Sequence, residues 1–178
     1  VLSRFNNKMS TGSTLPHELG HAYLLHKANF NNEPNIFIEA YSIFIEFIFG
    51  DYLKNTRYSG VAYSSEYQRL DSFLGMIDYE FANLSRLKDM YFTFPFYYYS
   101  DGSLARIDSA KMILSDMLGM YFVSLYRFDK KKYNIMMSAF LDMYGKVTDE
   151  EILKYFKLSN LVDGSIDTLD TYVKTYRR

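Results

Sequence analysis

Residues 17 to 21 read His-Glu-Leu-Gly-His. Two imidazoles four positions apart leave one face of a helix and can reach a single ion together. The carboxylate next to the first imidazole falls where it can take a proton from water activated by that ion, which is general-base work in metal-assisted hydrolysis. This is the H-E-x-x-H pattern of zinc hydrolases, so His17 and His21 are expected to bind Zn2+ and Glu18 to act as the catalytic base.

A third ligand is expected from residues 36 to 50, which are apolar nearly all round except at Glu39, Ser42 and Glu46. On a helix those positions, i, i+3 and i+7, share one face. A helix apolar on every other side is buried, and carboxylates taken inside with it need a positive partner. Zinc answers that need with Glu39 as third ligand and with Glu46 or Ser42 orienting an imidazole from behind. The alternative is an ordinary ion pair between these carboxylates and Arg or Lys of a neighbouring helix.

The elements that must hold such a site are helical. Ser13 or Thr14 can cap the first helix, Pro16 then occupies its first turn, and the helix is expected to run to about Ala28 with Leu19, Ala22 and Leu25 on its apolar side. His26 is read as a partly exposed residue at its end, favourable near the C-terminal dipole. The Glu39 helix should end near Lys54, with a bend at Gly50, before a surface loop at 55 to 63 containing Gly60. Leu70, Phe73, Leu74, Ile77, Phe81, Leu84 and Leu87 predict an amphipathic helix from Ser65 to about Tyr91. Residues 91 to 102 contain Pro95 and Gly102 and are expected to be a loop lining a cleft. Helices at about 103 to 127, 130 to 144, 148 to 157 and 166 to 176 follow. Gly145 supplies a stop, Thr148 and Glu151 a capping box, and Asp129 and Ser165 further caps. Residues 1 to 12 could form an edge strand or a loop. The expected class is all-α, with six to seven helices.

Length and charge narrow the partners. The 178 residues suit one domain with a substantial core, and a net charge of −1 gives no basic field for nucleic acid. No cysteine is present, so disulfides and thiolate metal sites are excluded and imidazole and carboxylate are the strong zinc ligands left. That agrees with a reducing, cytoplasmic location. No signal peptide opens the chain, and the run from 36 to 50 is shorter than the ~20 residues a membrane helix needs, so no membrane partner is expected. The chain starts at Val1 and meets the metal motif almost at once, the pattern of a fragment whose N-terminal portion lies elsewhere. With 18 Tyr and 15 Phe, most aromatics should be core packing and only a few Tyr should contact ligand.

The stretch Ser13-Thr14-Leu15-Pro16-His17-Glu18-Leu19-Gly20-His21-Ala22, followed by Ile38-Glu39-Ala40-Tyr41-Ser42 and Glu46, resembles the oligoendopeptidase F and thimet oligopeptidase family of zinc metallopeptidases, which are gluzincins. That family pairs H-E-x-G-H with a downstream E-x-x-S-x-x-x-E helix. Tyr67 to Phe73, continuing to Glu80 and Phe81, is similar to the helix that follows, so the likeness covers about the first half of the chain well and the rest loosely. The resemblance implies zinc held by His17, His21 and Glu39, Glu18 as general base, and hydrolysis of short, unfolded peptides reaching the site through a channel. Two departures stand out. The interval from His21 to Glu39 is shorter than is usual in the family. No His follows His26, where the family uses a downstream His and Tyr to stabilise the oxyanion; Tyr91 stands near that position, and Tyr97, Tyr98 and Tyr99 are candidates for the Tyr role. The alternative expectation is therefore a catalytically weak or inactive zinc-containing peptide-binding domain.

Overall fold

The computed structural model describes residues 11–27, 36–86, 96–98, 104–106 and 109–176. Seven helices make up nearly all of them: α1 (Thr11–Lys27), α2 (Ile36–Lys54), α3 (Ser59–Arg86), α4 (Ser109–Phe128), α5 (Lys130–Met143), α6 (Asp149–Phe156) and α7 (Leu158–Tyr176). Strands β1 (Phe96–Tyr98) and β2 (Leu104–Arg106) pair antiparallel with Tyr97 opposite Ala105. The class is all-α; β1 falls within the expected loop at 91 to 102 and β2 within the expected helix from 103, and the other residues from 91 to 103 lie outside the described ones. The expected edge strand at the N-terminus lies outside the described residues.

Helix α2 is the central element and packs against α1, α3 and α4. Ile36, Phe37, Ile38, Ala40, Ile43, Phe44 and Phe47 are buried, as a helix apolar on nearly every side requires. Phe37, Phe122, Phe140 and Phe156 join α2, α4, α5 and α6 in an aromatic core; the Phe37–Phe140 and Phe122–Phe140 ring centroids are 4.9 and 5.0 Å apart. Most of the buried rings are Phe, whereas Tyr23, Tyr52, Tyr58, Tyr67 and Tyr155 remain exposed. A phenol hydroxyl loses water on burial unless it finds a partner, so Tyr suits the rim of a core better than its centre.

Several boundaries differ from expectation for local reasons. Helix α1 starts at Thr11, which puts Pro16 in the helix interior rather than its first turn. Its buried side is Pro16, Gly20 and Leu24, spaced by four, while Leu19 and Ala22 face solvent. The connection after α2 is confined to residues 55 to 58, so Gly60 belongs to α3. Helix α7 starts at Leu158, and Ser165 is no cap: it lies inside the helix with its hydroxyl donating to the Leu161 carbonyl at 2.8 Å. Back-bonding of this kind satisfies a buried hydroxyl without ending the helix. Other caps follow the sequence. Asp129 accepts from the Lys132 amide, Thr148 and Glu151 form the reciprocal capping box, and Gly145 takes φ 74° just beyond α5, a left-handed value that glycine adopts without steric cost.

Candidate metal centre

The site is made where α1 crosses α2. Gly20 permits the crossing: a Cβ there would come within 2.7 Å of the Ser42 Cα and Oγ, closer than packed atoms can sit. With the helices this near, His17 and His21, one turn apart on α1, face Glu39 of α2. His17 Nε2 and His21 Nε2 are 3.0 Å apart, and Glu39 places one carboxylate oxygen 3.5 Å from His17 Nε2 and the other 3.5 Å from His21 Nε2.

These edges test the donor set against zinc. Ligand atoms about 2.0–2.1 Å from a tetrahedral ion lie about 3.3 Å from one another. The two imidazole nitrogens are 3.0 Å apart, each lies 3.5 Å from a different oxygen of Glu39, and one ligand atom from each of the three residues lies within 4.8 Å of the others, so the donors converge closely enough to share one ion. Among the described residues this is the group of His, Asp and Glu side chains that could hold a metal ion. Two ring nitrogens at 3.0 Å repel through their lone pairs unless a proton or a metal lies between them.

Glu46 sits behind His17, its Oε2 3.4 Å from Nδ1. A carboxylate at Nδ1 holds the proton on that nitrogen and directs the Nε2 lone pair toward the triangle, the usual arrangement at a metal-bound histidine. Ser42, the other candidate for this work, does not do it: its buried hydroxyl makes no hydrogen bond and instead lines the contact with Gly20. Its position on the polar stripe reflects the need for a small side chain under α1. Glu18 is half-buried beside His17, and its charge reaches His21. His26 is exposed in the last turn of α1, as expected.

Protonation without metal follows the same geometry. Burial pulls the His17 imidazole down, but hydrogen bonds to Glu39 and Glu46 outweigh it and push its pKa up to about 9. For His21, burial prevails and the pKa is lowered, with His17 acting in the same direction against Glu39. Burial would raise Glu39, yet His17, His21 and Arg69 together leave it below the usual carboxylate range. One proton on His17 thus stands where a metal cation would otherwise balance Glu39.

Two further residues border the centre and were not singled out from the sequence. Arg69 of α3 reaches Asp116 of α4, Nη2 to Oδ1 at 2.6 Å, and Asp116 is buried. Burial pushes the Asp116 carboxyl up to about 6 despite Arg69, with Glu46 and Glu39 repelling it further. A lone Asp in the apolar run Met112 to Met120 carries the same signal that marks Glu39 and Glu46, and it could have been read that way. The backbone of Tyr98 lies in β1, its side chain is not among those described, and Tyr99 and Tyr91 lie outside the described residues.

Compared with protein-family models, curated proteins and solved structures, the chain matches none. No helix among the described residues is long and apolar enough to cross a membrane.

Proposed function

We propose that this chain is a zinc-dependent metalloendopeptidase domain, an oligopeptidase acting on short peptides. The observation that carries the reading is the ligand triangle of His17, His21 and Glu39, with Glu46 behind His17. Bound there, zinc would polarise a peptide carbonyl and lower the pKa of water to about 7. His17, His21 and Glu39 hold the ion, and Glu46 fixes the His17 tautomer. Glu18 takes the proton from the attacking water and passes it to the leaving amine. Tyr98 and Tyr99 are assigned to the oxyanion of the tetrahedral intermediate. A cytoplasmic location belongs to the same reading.

Glu18→Gln is the direct test. The variant is expected to keep its zinc and to lose about 10²- to 10⁴-fold in cleavage of a quenched peptide. Turnover at the wild-type rate would remove Glu18 from the role of base.

A second reading, a zinc-containing peptide-binding domain with weak or no catalysis, is favoured by the lack of any His after His26. Loss of one oxyanion donor costs about 100- to 1000-fold in rate. Peptide hydrolysis that is abolished by a chelator and restored by zinc would exclude a domain that only binds.

A further inference from the structure

Helices α2 and α4 end side by side, since Arg127 in the last turn of α4 bonds Asp51 near the end of α2 at 2.8 Å. A single residue, Asp129, then joins α4 to α5. Helix α5 runs back along α2: Tyr133 packs on Phe44 and Phe140 on Phe37, with ring centroids 5.5 and 4.9 Å apart. The last turns of α2 and α4 and the first turn of α5 therefore make up one end of the molecule.

That end is unusual in its charge. Lys130, Lys131 and Lys132 open α5, all exposed, and the ion pairs among the described residues involve none of them. Cations at a helix N-terminus oppose the helix dipole, so local helix stability does not call for them. Lys130 rests over the Tyr126 ring, 3.2 Å from its centroid, while the charges of Lys131 and Lys132 stay in solvent. The neighbouring acids are engaged elsewhere: Asp51 by Arg127 and Lys54, and Asp129 by the Lys132 amide. The same end also exposes large apolar groups. Phe128 is 63% exposed and Tyr52, beside Asp51, 67%; Ile135, one turn beyond Lys131 on the same face of α5, is 56% exposed. Exposed apolar residues scattered singly need no explanation, but a group of them flanked by unpaired lysines does.

We propose that this end docks on an anionic lipid surface: the three lysines meet the headgroup charge, and Phe128, with Tyr52 and Ile135, enters the boundary between headgroups and acyl chains. It is a contact with the membrane face rather than a span, for which no helix among the described residues is long and apolar enough. It also revises the expectation, drawn from the lack of a spanning segment, that there is no membrane partner. Lipid fits better than nucleic acid. A nucleic acid could use the lysines and the Phe128 ring, but Ile135 offers no face for a base to stack on and gains only from an apolar medium. No residue of the metal centre takes part, so the proposal stands apart from the zinc reading.

Flotation with vesicles of phosphatidylcholine, alone or mixed with phosphatidylserine, tests it. The protein is expected to float with the mixed vesicles only and to leave them as salt rises, each lysine adding about fivefold to partitioning at an anionic surface. Lys131→Glu with Lys132→Glu should weaken partitioning more than about tenfold, and Phe128→Ser about fivefold with the lysines intact. Lys146→Glu with Lys154→Glu, the same charge change beyond the far end of α5 and on α6, should alter it less than about twofold. All these side chains are exposed, so the variants should keep the wild-type circular dichroism; should Phe128→Ser not fold, Ile135→Ser takes its place with the same expectation. No flotation with mixed vesicles, equal flotation with both kinds, or equal losses from the two lysine pairs would overturn the proposal. So would a single-stranded oligonucleotide that binds more tightly than the vesicles and displaces them, or a dimer in sedimentation velocity that Phe128→Ser converts to monomer.

Discussion

The two ends of α2 handle buried acid in opposite ways. At the C-terminal end, Asp51 receives Arg127 through two bonds of 2.8 Å, while Lys54 and Arg127 both reach Glu66 across to α3. Two carboxylates meet two permanent cations, and the Asp51 carboxyl stays below its ordinary pKa because these partners outweigh burial. Toward the N-terminal end, Glu39 and Glu46 meet imidazoles, which carry a fixed charge only if a proton stays on them. One end is neutral from its own side chains, whereas the other is balanced by a proton on His17 or, on the reading proposed above, by a bound ion. On that reading, the difference is what distinguishes a structural ion network from a centre that receives an ion.

That contrast can be broken most strongly at the self-sufficient end. Arg127→Met leaves Asp51 and Glu66 short of a cation and is expected to cost about 3–5 kcal/mol in denaturant unfolding while zinc binding remains in place. At the other end, His21→Ala should change the metal-free stability little but abolish the gain on adding zinc, a gain of about 2.7 kcal/mol at a free concentration 100 times the Kd. Loss of zinc binding in the first variant, or retention of the zinc gain in the second, would erase the distinction. Gly20→Ala is expected to cost about 1–3 kcal/mol by overpacking the crossing and to weaken zinc uptake at the same time; calorimetry with and without metal reads both effects.

The pH response is the subtlest test. With His17 raised to about 9 in the metal-free fold against 6.5 unfolded, its contribution is full below pH 6.5 and is lost as pH rises toward 9. His21, lowered, contributes above 6.5 and loses that contribution as pH falls. Asp51, also lowered, loses its contribution only below about pH 3.8. The chelated protein should therefore show a falling thermal midpoint from pH 6.5 to 9, and zinc, which displaces the His17 proton, should flatten that limb. An identical slope with and without zinc would detach His17 from the ion.

How much of this was readable in the chain depends on the range of the cause. That His17 and His21 stand together was legible because their relation is local, and that Glu39 and Glu46 meet them because two acids on an otherwise apolar helix pose a problem that any fold must solve. The helices themselves were legible for the same reason, through period and caps such as Thr148 with Glu151. Ser42 was misread because its partner, Gly20, becomes its neighbour only at the crossing. The start of α7 was misplaced because Ser165 has two outlets for its hydroxyl, a cap or the carbonyl four residues back, and it takes the second, bonding the Leu161 carbonyl. Arg69 and Asp116 belong to different helices, 47 positions apart, and no local pattern joins them.

The glycine at the crossing also bears on which ions the centre can accept. Because even a Cβ on Gly20 would meet the Cα and Oγ of Ser42 at 2.7 Å, α1 and α2 approach closely here, and that approach limits the span from the imidazoles to Glu39. Such a contact works as a fixed gauge. On the zinc reading, that close approach favours an ion with bonds of about 2.0–2.1 Å over calcium, whose bonds of about 2.3–2.6 Å ask for a wider seat.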